Sequence, residues 1–212
     1  LLYLAGATVL LASLVAMRQD NLKARLAYST VSQLGYITIG ALLATSSSII
    51  GGSMHIAMHA FGKITLFFCA GAILVAAHKS KISDMRGLGK QMPITMAAFF
   101  IASLSIIGVP PTAGTWSKWY LMMGTLETQQ WLLMLILMLS SLLNIAYLLP
   151  IPIRAFFSGD KSNDSGGIKE APLPSLIAIC ITTLCCLILF FYPQPLYELA
   201  SSILGTPELI NE

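Results

Sequence analysis

The chain alternates long apolar runs with short polar stops. Residues 1–17 form a first run that ends at Arg18, Gln19, Asp20 and Asn21. Lys23 and Arg25 open a second, over about residues 24–45, and Ser46, Ser47 and Ser48 read as an uncharged turn. The third run, residues 51–77, exits at His78, Lys79 and Lys81. A fourth starts at Pro93, which suits the first turn of a helix because its missing N–H has no partner there anyway. A fifth covers 131–157, with Pro150 and Pro152 expected to kink or end it, and a sixth covers about 172–192. The polar stretch 158–171 between them has loop composition. Residues 196–204 read as an interfacial segment before a short acidic tail. The pattern predicts an all-α polytopic membrane protein with about six transmembrane helices.

Two runs break the apolar rule. The third, GGSMHIAMHAFGKITLFFCAGAILVAA, holds His55, His59 and Lys63. A step of four turns a helical side chain by only ~40°, so the three share one face. Lys63 falls near the middle of the run, where a lysine costs roughly 2.5–3.5 kcal/mol on insertion scales. An ionisable group at that depth is a functional candidate by default. The fourth run reaches Gly108-Val109-Pro110-Pro111-Thr112-Ala113-Gly114 near its middle. Tandem prolines remove two N–H donors and disfavour the α conformation before each. The expectation is one crossing, residues 93–126, broken at the midplane and followed by a half-helix carrying Lys118. Backbone broken at that depth is tolerated where it is buried in protein or lines a hydrated cavity, and ion-coupled transporters use the device repeatedly.

Composition agrees. Apolar residues are 56% of the chain, charged residues 10%, and mean hydropathy is +0.79, against about 25% charged in soluble domains. Cys69, Cys180, Cys185 and Cys186 lie in apolar runs without metal-ligand spacing and read as packing residues. No Cys cluster, Gly-rich nucleotide loop or carboxylate pair is present, so no cofactor or metal is expected on this chain. The first run lacks a signal-peptide pattern, and the chain is expected to be the C-terminal part of a longer protein.

Basic residues sort by loop. Arg18, Lys23 and Arg25 fall in one, Lys79, Lys81, Arg86 and Lys90 in a second, and Arg154, Lys161 and Lys169 in a third. Alternate loops have none. The remaining two of the twelve Lys and Arg are Lys63 and Lys118. The positive-inside rule puts the basic loops on the cytoplasmic side, provided the broken run counts once. Trp116, Trp119, Tyr120 and Trp131 then gather at the outer face.

On this topology His55, His59, Lys63 and Lys118 form a titratable series at staggered depths, as proton movement requires. Burial penalises charged forms, and the partly positive start of the second half-helix acts on Lys118 in the same sense. Plainer readings stand beside this. His55 is equally a structural histidine bonded to Ser53 or a neighbouring helix, and His59 is open between the two roles. Lys118 has the option of snorkelling to the outer interface. Lys23 reads as an interface anchor, and Glu127 and Glu198 as solvated. Ser29, Thr30, Ser32 and Thr38 read as hydroxyls that bond between helices or hold water.

Four motifs in order resemble one family. NLKARLAYSTVSQLGY at 21–36, the His55-x3-His59-Ala60-Phe61-x-Lys63 helix, GLGKQMP at 87–93 and GVPPTAGTWSK at 108–118 are similar to the antiporter-like membrane subunits. These occur in respiratory NADH:quinone oxidoreductase, Mrp Na+/H+ antiporters and membrane-bound hydrogenases. The departures are Gly62, where the family has phenylalanine, and Asn21, which shifts the acidic residue to Asp20. The resemblance implies a fold of two inverted five-helix repeats, each with one broken helix, of which this chain holds the second. It implies that Lys63 lies on a central hydrophilic axis, that Lys118 is the terminal proton-exchanging residue, and that the histidines belong to the same relay. Residues 1–157 would be the antiporter-like membrane domain, 158–171 a polar cytoplasmic loop, and 172–212 a final transmembrane helix and tail. The expected function is proton translocation within a multi-subunit complex, with H+ and Na+ as candidate ions. Expected partners are other membrane subunits and the lipid bilayer of a bacterial or archaeal plasma membrane, with no nucleic acid. Two alternatives are a secondary transporter of a small solute and a non-conducting structural subunit.

Overall fold

The computed structural model describes residues 1–158 and 167–205. Lys161, the Asn163-Asp164-Ser165 part of the polar loop and the acidic tail lie outside the described residues. The elements are α1 (Leu2–Arg18), α2 (Leu22–Leu43), α3 (Ser46–Ala77), α4 (Leu88–Gln91), α5 (Pro93–Ile107), α6 (Gly114–Glu127), α7 (Trp131–Leu148), α8 (Pro150–Phe157), α9 (Leu173–Phe191) and α10 (Gln194–Ser202). A 3-10 turn, Ile82–Asp84, precedes α4. Among the described residues four stretches are long and apolar enough to cross a membrane: α2, α3, the α7–α8 stretch and α9. α1 and α5 are apolar but shorter, with 17 and 15 residues.

α3 is the axis, packed against α2, α5, α6, α9 and α10. It runs 32 residues, about 48 Å at 1.5 Å per residue. It starts earlier than its apolar pattern suggests. Ser46, Ser47 and Ser48 are its first turn rather than a connecting turn, because Thr45 and Ser48 form a reciprocal capping box. That box satisfies two backbone N–H groups and fixes the helix start.

One end of the bundle is tied by polar contacts. The Arg25 guanidinium donates to Gln19 O at 2.6 and 2.9 Å and to Tyr147 O at 3.0 Å. It thereby closes the end of α1 and meets the last turn of α7, where helix carbonyls lack N–H partners. Asn21 caps α2 through Ala24 N, and an isolated antiparallel bridge joins Asn21 to Lys81. Asp20 receives Ser83 N at 3.1 Å and Ser83 Oγ at 2.9 Å. The Glu170 carboxylate caps α5, accepting from Ile94 N at 2.6 Å, Thr95 N at 3.3 Å and Thr95 Oγ1 at 2.6 Å. Pro93 at the helix start has no N–H to offer, so the cap meets the first donors available.

The chain leaves α5 at Gly108 and re-enters helix at Gly114. Gly108 has φ +87°, open to glycine without a Cβ penalty. Gly114 is required by proximity, since a Cβ there would overlap the Ser105 carbonyl oxygen. Ala113 N, freed by the interruption, donates to Cys186 O of α9 at 2.9 Å. Val109, Pro110 and Pro111 lie on the exposed surface instead of lining the interior, and the prolines leave no N–H unpaired there. The expectation that the four cysteines are packing residues holds for Cys69 and Cys186, which are buried. Cys180 is exposed, because the inward stripe of α9 is Ile179, Thr183 and Cys186. α10 folds back on the start of α3, with Leu196 and Tyr197 packing on the cluster of Ile50, Met54 and Met58.

Two outcomes follow. Gly114→Ala forces α5 and α6 apart and is expected to cost at least about 2 kcal/mol; unchanged thermal unfolding of the purified protein would refute the close approach. The hydroxyl of Ser83, then its backbone N–H, hold the Asp20 carboxyl below the usual carboxylate range, with Lys81 and Arg25 adding to the effect. The stabilisation is therefore complete above the ordinary value near ~4 and is lost as pH falls through the lower folded value. Asp20→Asn should shrink the drop in unfolding temperature between neutral and acid pH, and an equal drop in both proteins would remove Asp20 from the account.

Candidate functional site

Two polar stripes face α3, and a third, on α7, meets them through Ser29 and Lys118. On α2, Arg25, Ser29, Gln33 and Tyr36 repeat at helical spacing. On α7, Ser140, Asn144 and Tyr147 do the same, with Ser141 beside them. The start of α6 supplies Ser117 and Lys118. Between them lie the three α3 side chains.

Lys63 is buried. Its ammonium donates to Leu26 O at 3.0 Å and Ser29 Oγ at 2.7 Å. Ser29 also accepts from the Tyr147 hydroxyl at 3.0 Å, and that hydroxyl makes a short hydrogen bond to Asn144 Oδ1. One turn further toward the α3 start, His59 is buried with both ring nitrogens lacking a protein hydrogen-bond partner. Its ring stacks on His55 at 5.5 Å between centroids, and His55 stacks on Tyr36 at 5.7 Å. His55 Nδ1 lies 2.9 Å from Ser117 Oγ, and Nε2 lies 3.1 Å from Gln33 Oε1. Ser53 is not its partner. The neighbouring-helix option for His55 is the one the structure shows.

Lys118 is 6% exposed, which ends the snorkelling reading. Its ammonium donates to Ile107 O at 2.9 Å and Ser141 Oγ at 3.1 Å, and sits 4.9 Å from the centre of the Tyr36 ring. The sequence placed Lys118 under the positive start of α6. Its long stem instead carries the charge back to the last residue of α5, whose free carbonyls form the partly negative helix end. Gly108 makes room for that stem, since a Cβ there would come within 2.8 Å of Lys118 Cδ. The site opens beside Lys118 into a cavity of about 390 Å³, lined by Tyr36, Gly108, Thr115, Trp119, Met138 and Ser141 among others.

The four titratable residues thus meet in one buried line, with Gly108 and Gly114 shaping its Lys118 end and Pro110 and Pro111 outside it. Among the described residues the lysines have carbonyl, hydroxyl and ring partners, and no group of acidic, Cys or His side chains is arranged to hold a metal. Sequence reasoning missed Gln33, Asn144, Tyr147 and Ser117 as partners. A signal existed: polar residues at i, i+4 and i+7 inside apolar helices, as in Ser140, Asn144 and Tyr147, mark a face turned toward protein rather than lipid.

The fold and site define a helical integral membrane protein with two buried lysines whose partners among the described residues are uncharged. Comparison with known proteins narrows the class. Residues 1–144 match the family model described as "NADH:quinone oxidoreductase/Mrp antiporter, TM". The chain is 39% identical over 172 residues to NADH-quinone oxidoreductase subunit N of Desulforudis audaxviator, covering 81% of this chain and 34% of that protein. It is 30% identical over 203 residues to a Na(+)/H(+) antiporter subunit of Alkalihalophilus pseudofirmus, covering 93% and 40%. Its fold matches a chain of the Mrp complex from Dietzia sp. with a TM-score of 0.85 at 23% identity, covering 95% and 45%. The chain belongs to the NADH:quinone oxidoreductase/Mrp antiporter transmembrane family. It spans less than half the length of these relatives.

The two histidines differ in what their loss removes. His55→Leu strips Gln33 of its side-chain partner and should cost about 1–3 kcal/mol. His59→Leu breaks no protein hydrogen bond and should leave stability near that of the wild type. Equal losses in unfolding temperature would contradict this assignment.

Proposed function

We propose that this chain carries the proton-exchanging part of an ion-translocating membrane subunit, with protons passing between Lys63 and Lys118 by way of His59 and His55. The single observation that carries the reading is the buried line itself. Among the described residues the two lysines at its ends have no carboxylate partner, and between them is a histidine whose nitrogens have no hydrogen-bond partner. Such a stretch of polar atoms holds waters, which are the usual bridges between buried donors and acceptors. The carbonyl and hydroxyl at each lysine match the two N–H donors of the neutral amine, and the Tyr36 face offers the Lys118 ammonium a third contact. Each site therefore accommodates both protonation states. The cavity beside Lys118 supplies the exit.

In this reading the assembly has about six crossings and equals the second inverted repeat of the family fold. α5 and α6 are the halves of one crossing broken at the midplane, where Lys118 stabilises the end of the first half. Residues 1–157 form the conducting domain, 158–171 the cytoplasmic loop, and 172–212 the last crossing and tail. The basic loops face the cytoplasm of a bacterial or archaeal cell, and other membrane subunits surround the chain. Translocation is driven by a partner's redox chemistry or by exchange against Na+. No redox chemistry or cofactor is assigned to this chain. The family membership and the named relatives, one a quinone oxidoreductase subunit and one an antiporter subunit, support both driving modes.

The test uses the full-length protein in its complex, in inverted membrane vesicles with a pH-sensitive dye. Lys63→Ala and Lys118→Ala should each lower the rate of proton movement at least about tenfold at normal complex levels. NADH-driven acidification identifies redox coupling, and collapse of a preformed gradient by Na+ only in the wild type identifies exchange. Normal rates in both variants would sink the proposal.

A further inference from the structure

The cavity beside Lys118 is more apolar than a proton exit requires. Ile107, Met122, Leu137 and Met138 line it, and no acidic side chain does. Lys118 stands in the same lining with Tyr36 and Ser141. Met138, Leu142 and Trp119, which also line it, are exposed. The two from α7 continue a row of exposed leucines, Leu132, Leu135 and Leu139. Such a surface on a membrane helix suits lipid chains. The cavity therefore joins an apolar outer surface to a buried amine.

Lys118 also has a donor to spare. An ammonium carries three N–H groups. Two of them reach Ile107 O at 2.9 Å and Ser141 Oγ at 3.1 Å. The Tyr36 ring, 4.9 Å away at its centre, is a cation contact and not a hydrogen-bond acceptor of that kind. No third oxygen accepts from Lys118 among the described residues. Ligand pockets run roughly 300–1,000 Å³. At about 390 Å³ this one is small, and it suits one acyl chain rather than two. A carboxylate at the end of a chain is slim enough to lead the way in, whereas a phosphodiester with substituents on both sides is not.

We propose that this cavity binds a single-chain carboxylic acid, with its carboxylate on the spare N–H of Lys118 and its chain running along the apolar walls to the outer surface. The acid comes from the hydrocarbon in its neutral form. Its O–H bond breaks and an N–H bond forms on the neutral Lys118 amine, leaving a carboxylate paired with an ammonium. Binding depends on the geometry alone. Its consequence depends on the reading of Lys118 as a proton-exchanging group: the ion pair keeps the proton on Lys118 and the chain fills the exit, so occupancy slows proton movement.

The test follows fluorescence quenching of Trp119, which lines the cavity, in the full-length protein in its complex in lipid vesicles. The probe is bromine-labelled dodecanoic acid, and bromine-labelled dodecanol is the uncharged control. The difference from Trp119→Phe isolates the signal. Expected is a saturable component for the acid, with binding at least about tenfold weaker for the alcohol and for the acid on Lys118→Met. At the acid concentration that gives half the quenching, proton movement corrected for the leak in protein-free vesicles should fall to about half. Equal binding of acid and alcohol, unchanged binding in Lys118→Met, or no saturable component overturns the site. Another subunit covering the opening gives the last of these. If the acid binds through Lys118 and proton movement stays normal, the site stands and the reading of Lys118 as the exit fails. The comparison of acid with alcohol uses unchanged Lys118, so it reports even where Lys118→Met assembles poorly.

Discussion

The structure turns on two lysines buried in a helical bundle with no carboxylate partner among the described residues. A charge of this kind is expensive in hydrocarbon, and in water-soluble proteins the usual remedy is an ion pair. Here the partners are dipoles. Lys63 reaches a carbonyl and a serine of α2, and Lys118 reaches a carbonyl of α5, a serine of α7 and the face of Tyr36. Dipoles stabilise a cation less than a carboxylate does, but they also accept hydrogen bonds from the neutral amine. An ion pair would hold the proton in place. In the proposed reading, a dipolar cradle leaves it transferable.

The interruption between α5 and α6 follows from the same need. A continuous helix has no free carbonyls in its middle. Ending α5 at Gly108 releases its last carbonyls, and one of them, Ile107 O, receives the Lys118 ammonium. Another freed group, Ala113 N, is taken by α9. Gly114 lets the two helix ends approach until only a hydrogen atom fits. The break costs several backbone hydrogen bonds, and these two groups are satisfied again within the bundle.

Much of this was legible in the sequence. The spacing of His55, His59 and Lys63 placed them on one face because helical geometry is local and regular. Gly108, Pro110 and Pro111 announced the break for the same reason. The partners were not legible, since which helix Ser29, Gln33 or Tyr147 faces depends on packing between segments far apart in the chain. The position of the Lys118 charge was hidden for a different reason. Helix-end arguments consider where a Cα sits, and a lysine stem is long enough to deliver its charge to the opposite dipole end. Ser46, Ser47 and Ser48 have turn composition, whereas the Thr45–Ser48 capping box makes them a helix start.

The Glu170 cap bears on how the molecule is made. The carboxylate that closes the first turn of α5 lies 76 residues downstream of Ile94. At a synthesis rate of about 5–20 residues per second, roughly 4–15 s separate the two on the ribosome. During that interval the start of α5 has neither its carboxylate cap nor its neighbour α9. The start of α5 thus lacks its cap until the segment that opens α9 arrives. A chain stalled before Glu170 would leave the first donors of α5 without their carboxylate.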